Sequence, residues 1–184
     1  MIEDLWKKMS SDPKTMGYSF RMIEPPSPDG KTMRECRKLC EMNLCKEYGA
    51  TWGCPPGVGT EKECLNVIDK FSKTAILIRK HENVDTKNEA LLRGLSACHQ
   101  DVCREFSEIL RKKGYEVLPL GNGGCSYCSD CSYPNDPCRF PDKKVTSMSG
   151  YGIMIEEYLK SQNIDFEFRQ DSITLYGLIL YNEP

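Results

Sequence analysis

Histidine is almost missing from this chain: His81 and His99 are the only imidazoles among 184 residues. No Ser/His/Asp arrangement, no G-x-G-x-x-G and no phosphate-binding P-loop occurs either, so ordinary hydrolytic and nucleotide chemistry has no visible apparatus. His99 follows Cys98, but adjacent positions on a helix do not face each other, so the two make no nucleophile pair. Long apolar runs are missing too. The strongest, Ala75 to Ile78 and Leu178 to Tyr181, fall far below the ~18 residues of a membrane-spanning helix. The opening MIEDLWKKMSSDPK carries no apolar h-region after a basic start, which argues against an export signal. A cytoplasmic protein with no membrane partner is expected.

An excess of positive charge is also lacking. Lys and Arg number 25 against 27 Asp and Glu, for a net charge of −2 and a pI near 5.8, so nothing draws the chain globally to phosphate backbones and nucleic acid is not an expected partner. Arg111 to Lys113 and Lys143 to Lys144 read as solvated faces or charges at helix C-termini. Large apolar residues are scarce: Leu, Ile, Val and Phe total 38, about 21% of the chain, close to the roughly 20% below which a packed core becomes doubtful. What the chain has in quantity is cysteine, eleven residues in all. In a reducing cytoplasm such a density points to bound metal rather than to disulfides.

The order of elements reads as α+β, a small mixed sheet with helices on one face and two cysteine-rich metal-binding loops. Residues 1–17 form a short amphipathic helix or arm, and Tyr18 to Ile23 alternates as a strand before the turn-rich EPPSPDG. Residues 31–59 hold the first cysteine group. Thr60 and Glu63 make a capping box that opens a helix through about Ser72, and Ala75 to Lys80 is a short buried strand. From Thr86 to Lys113 the apolar positions Leu91, Leu95, Cys98, Val102, Phe106 and Ile109 recur at helical spacing, with Gly114 as the stop. Tyr115 to Leu120 is a strand, residues 152–161 a helix, and Ile164 to Arg169 with Ser172 to Leu180 a hairpin about Gln170 and Asp171. A single domain over 1–184 follows, with a first cysteine lobe at about 31–59, an α+β core over about 60–120 and 145–184, and a second cysteine loop at 121–141.

The second cysteine group, Cys125-x2-Cys128-x2-Cys131-x6-Cys138, repeats the successive x2 spacing of bacterial ferredoxins, in which closely spaced thiolates wrap an iron–sulfur cube. Its last gap is six rather than three, and Arg139 stands where a proline is usual. A structural zinc site more often takes two separated CxxC knuckles, so zinc is the alternative. Gly123 and Gly124, just before Cys125, would let backbone N–H groups approach the cluster sulfurs, or they simply form a turn. The first group, Cys36-x3-Cys40-x4-Cys45-x8-Cys54, matches neither a zinc finger nor a ferredoxin. Its nearest pattern, the Cx3Cx2C of radical S-adenosylmethionine enzymes, differs in the second gap. Four thiols within nineteen residues nevertheless suit a second [4Fe–4S] cluster, with the Pro55-Pro56 pair holding Cys54 and Trp52 either covering it or serving as an ordinary half-buried packing residue. Cys64, Cys98 and Cys103 are read as core thiols, Cys98 on the apolar helix face.

Several of these features occur together in one known family. Cys36, Cys40, Cys45, Tyr48-Gly49, Trp52 and Cys54-Pro55-Pro56, then Gly123-Gly124 through Pro141, and a closing Ser147 to Ile153 segment resemble the predicted metal-binding proteins of domain-of-unknown-function family 2284. The resemblance spans about residues 16 to 181. It implies cysteine-bound metal, iron–sulfur foremost, and the cytoplasm of an anaerobe, and it implies no activity. Relatives tend to carry an acidic residue after the Gly-Ile pair, where this chain has Met154.

The expected protein is therefore an electron carrier with two [4Fe–4S] clusters serving a redox partner protein, the whole made more acidic by its clusters and so suited to basic partner surfaces. The alternatives are an iron–sulfur enzyme with an open cluster iron, for reductive or sulfur-transfer chemistry, and a zinc-stabilised interaction module. The sequence is compatible with a homo-oligomer and does not call for one.

Overall fold

The structure is a computed structural model, and it describes residues 1–167 and 169–184. Helix α1 (Ile2–Met9) and a 3-10 turn lead into strand β1 (Tyr18–Ile23), followed by α2 (Gly30–Glu41) and α3 (Glu61–Ile68). Then come β2 (Lys73–Glu82), α4 (Glu89–Arg111), β3 (Glu116–Gly121), the short β4 (Thr146–Ser147), α5 (Ile155–Ser161) and β5 (Ser172–Asn182). The strands form one five-stranded mixed sheet in the order β1-β2-β5-β3-β4, antiparallel except where β4 runs parallel to the end of β3. The α+β class read from the sequence is what the chain forms.

The helices lie on both faces of the sheet, not on one. Successive side chains of a strand point to opposite faces, and the buried run Leu175–Tyr181 of β5 has cores on both sides. Ile76, Leu178 and Leu180 pack with Met33 of α2, Cys64 and Ile68 of α3 and Leu159 of α5. Their neighbours Ala75, Leu77, Ile179 and Tyr181 pack with Ile2, Trp6 and Met9 of α1 and with Val102, Cys103, Phe106 and Leu110 of α4. Trp6 anchors the second layer, stacking on Phe20 at 5.4 Å and meeting Phe106 edge-on at 5.3 Å. Both faces of the central strands are thus dry, as an uninterrupted apolar strand requires.

Local chemistry sets the helix ends. The Thr60/Glu63 capping box is present, with the Glu63 amide donating to Thr60 Oγ1 and the Thr60 amide to Glu63 Oε2. Asn88 caps α4 by accepting from the Leu91 amide, and Gly114 ends it with φ +88°, a conformation that L side chains rarely adopt. Asp29 caps α2 in the same way, accepting from the Thr32 amide at 2.7 Å. The expected hairpin is only half there: residues 164–167 and 169 form no strand, Phe168 lies outside the described residues, and β5 pairs with β2 and β3 instead. Ile164 serves the core as a side chain packed beside Leu159. Among the described residues no helix is long and apolar enough to cross a membrane.

Candidate metal centre

All eleven cysteines are free thiols, with no disulfide between them. The first predicted set is built on a helix and a loop. Cys36 and Cys40 lie one turn apart on α2, where side chains four residues apart share a face. Met42 closes the helix, Asn43 and Lys46 take positive φ, and the chain turns through Cys45 to Cys54. Cys36 and Cys54 are buried, Cys40 half-buried and Cys45 exposed. Burial pushes the Cys36 thiol up to about 12, with Cys40 the largest charged influence after it. Burial likewise raises Cys54 to about 12, and Cys45, Glu47 and Cys40 add to the shift. Cys40, Cys45 and Cys54 are therefore neighbours electrostatically. Cys36, on the same face of α2 as Cys40, has Cys40 as its largest charged neighbour, ahead of Glu157 of α5. The Cys40 thiol also reaches Ser149 Oγ at 3.5 Å.

The second set follows β3 directly. Cys125, Cys128, Cys131 and Cys138 all line one pocket, together with Trp52, Tyr127, Phe140, Arg139 and Lys144. Tyr127 and Phe140 meet edge-on at 5.2 Å, so the thiols are walled by aromatic rings with two cations at the margin. Among the described residues no three His, Cys, Asp or Glu side chains converge closely enough to hold a single metal ion.

Gly123 takes φ +74°, a left-handed turn. Gly124 is required by a close approach: a Cβ there would come within 2.6 Å of Glu47 Oε2, 3.0 Å of Thr51 Oγ1 and 3.3 Å of Cys54 Sγ. Gly124, expected to serve the second set, thus makes room for the first, while Gly123 supplies only the turn. Trp52 crosses in the opposite direction. Its Nε1 donates to the Asp136 carbonyl at 3.0 Å and its ring meets Tyr133 edge-on at 4.9 Å, so it walls the second set rather than covering Cys54.

Two residues missed in the sequence hold the second loop. Gln100 and Arg104 are buried polar positions on α4. Gln100 donates to the Gly124 carbonyl and accepts from the Ser126 amide and hydroxyl. Arg104 donates from Nε to the Lys143 carbonyl at 2.7 Å, pairs with Asp101 and lies 5.1 Å over the Tyr127 ring. The signal available was a pair of polar residues four apart, Gln100 and Arg104, on the buried side of α4. Of the three thiols read as structural, Cys64 and Cys103 are buried, but Cys98 is exposed. The α4 face turned inward instead carries His99, whose Nδ1 is 3.0 Å from Tyr18 Oη and whose Nε2 is 3.8 Å from Cys103 Sγ.

The sheet, clad on both faces, thus carries a cysteine-rich chain in which four thiols line a single pocket in the loop after β3. The family model for predicted metal-binding proteins DUF2284 matches residues 28–181, and the chain belongs to that family. No curated protein and no solved structure matches it.

Proposed function

We propose that the chain is an iron–sulfur protein holding two [4Fe–4S] clusters, one on Cys36, Cys40, Cys45 and Cys54 and one on Cys125, Cys128, Cys131 and Cys138, and that it passes single electrons between partner proteins. The observation that supports this reading is the single pocket that all four thiols of the second set line. The donor set fits the group, because thiolates at successive x2 spacing suit the corners of a cube. When bound, a cluster supplies one-electron chemistry near its own surface.

The residues around the pocket have separate tasks. The four thiolates bind. Trp52, Tyr127 and Phe140 line the pocket with apolar surface, Tyr127 and Phe140 each partly exposed, and the polarity of the surround shifts a cluster's potential. Arg139 and Lys144 at the margin offset the negative charge of the thiolates. Gln100 and Arg104 fix the loop before metal arrives, so little order is lost on binding. The thiols of the second set are half-buried rather than buried, which leaves the set within reach of a partner protein.

A second reading, an iron–sulfur enzyme with one iron lacking a thiolate, draws support from the first set. Cys54 is influenced by Cys45, Glu47 and Cys40, whereas Cys36 is not among its main charged influences and has Cys40 as its own largest charged neighbour. Three thiols would then hold a cluster whose fourth iron is open to substrate.

Dithionite reduction of anaerobically purified Cys45→Ala and Cys128→Ala variants separates these readings. Two local clusters predict that each variant loses about half of the thiolate-to-iron absorbance, and that what remains still bleaches reversibly. Loss of the same cluster in both variants would overturn the partition, and absorbance that no reductant bleaches would overturn electron transfer.

A further inference from the structure

The two thiol sets are interlocked through a pair of Gly-Cys dipeptides. Gly53 precedes Cys54 and Gly124 precedes Cys125, and each glycine faces the other's cysteine. A Cβ at Gly53 would come within 2.5 Å of the Cys125 amide nitrogen and 2.7 Å of its Cβ. A Cβ at Gly124 would come within 3.3 Å of Cys54 Sγ. A side chain at Gly53 would force the Cys125 backbone to move, and one at Gly124 would displace the Glu47 carboxylate and crowd Cys54 Sγ. The clasp is held from outside as well. Ser147 donates its amide to the Gly53 carbonyl at 2.8 Å, Met148 donates to the Gly121 carbonyl, and Trp52 donates to the Asp136 carbonyl. Cys54 Sγ therefore lies within about 9 Å of the Cys125 Cα, the two thiol sets meeting across bare backbone.

We propose that the Gly53-Cys54 and Gly124-Cys125 clasp makes the two sets one two-centre unit, in which metal held by one set is directly coupled, magnetically and for electron exchange, to metal held by the other. This rests on the iron–sulfur reading above. The internal step transfers one electron from the reduced set to the oxidised one, so that one is oxidised as the other is reduced, with no bond made or broken and no proton moved. Clusters held on the two sets would then share an electron taken from a reducing partner protein at either set, since Cys45 of the first is exposed and the thiols of the second are half-buried. Gly53 and Gly124 set the separation. They are positioning residues that touch no reacting atom.

The test is electron paramagnetic resonance of the anaerobically purified protein, fully reduced with dithionite, after iron and sulfide have been counted in the same sample. Coupling predicts a broadened, split signal from two interacting centres, and loss of that splitting in Cys128→Ser, which keeps one centre. Full iron and sulfide content with a signal that is the plain sum of two isolated centres would overturn the clasp while leaving the iron–sulfur reading intact. A protein with no iron and no sulfide would overturn both.

Discussion

Gln100 Nε2 donates a hydrogen bond of 2.7 Å to the Gly124 carbonyl, tying the middle of α4 to the glycine that opens the second cysteine loop. The same side chain accepts from the Ser126 amide at 3.0 Å and from its hydroxyl at 2.9 Å. One buried residue thus brackets Cys125 from both sides. Gln100→Ala leaves the Ser126 amide without this acceptor and the Gly124 carbonyl without this donor, each worth about 1–3 kcal/mol when buried. The expected outcome is faster amide hydrogen exchange over residues 122–127 with the exchange of β2 and β5 unchanged. Unaltered exchange at Ser126 would show that Gln100 does not hold the loop.

Gly53 and Gly94 give opposite expectations for the same substitution. At Gly53 an added methyl meets the Cys125 backbone at 2.5 Å, and overpacking against backbone costs about 1–3 kcal/mol. Gly94 lies within α4 with nothing within 4 Å of its would-be Cβ, and replacing an unhindered helix glycine by alanine stabilises by roughly 0.5–1 kcal/mol. Thermal unfolding of Gly53→Ala should begin below that of the parent and Gly94→Ala should finish above it. A Gly53→Ala variant as stable as the parent would mean that the two loops are not in contact there.

His99 predicts a pH dependence outside the cysteine region. Its ring is 1% exposed, stacks on Tyr18 at 5.5 Å, and burial lowers its pKa from 6.5 to about 4. Between those values the unfolded chain binds a proton that the folded chain refuses. The contribution is therefore whole above about pH 6.5 and is lost progressively as pH falls toward 4, roughly 3 kcal/mol in all. Denaturant midpoints measured from pH 7 to 5 should fall in the parent and fall much less in His99→Gln. His81, whose pKa is lowered first by burial and then by Arg79, contributes to the residual slope, and toward pH 5 so do Glu63, Glu82 and Glu89, whose pKa values are lowered by their hydrogen-bond and ion-pair partners. Equal slopes in the two proteins would place the dependence elsewhere.

Much of this architecture can be read locally. The β1 strand Tyr18–Ile23, the Thr60/Glu63 capping box and the Gly114 stop are each written in a few neighbouring residues, and each forms where expected. Helix α2 was hidden because Cys36 and Cys40 suggested a ligand loop, although Asp29 is a cap and the two thiols are one turn apart. The two-sided sheet was hidden because α1 and α4 reach the face opposite α2 and α3 only through long-range strand order. The same non-locality concealed the contact of Gly53 with Cys125 and the crossing of Trp52 to the second pocket. Spacing displays which thiols lie near one another in the chain, but the meeting of two loops depends on β4 and Ser147, a two-residue pairing without a periodic signal.

The account stands most directly on the metal itself. Iron, acid-labile sulfide and zinc should be counted on protein purified without oxygen, with concentration taken from amino-acid analysis. Two [4Fe–4S] clusters predict about eight iron and about eight sulfide per chain. Stoichiometric zinc with no sulfide would contradict it.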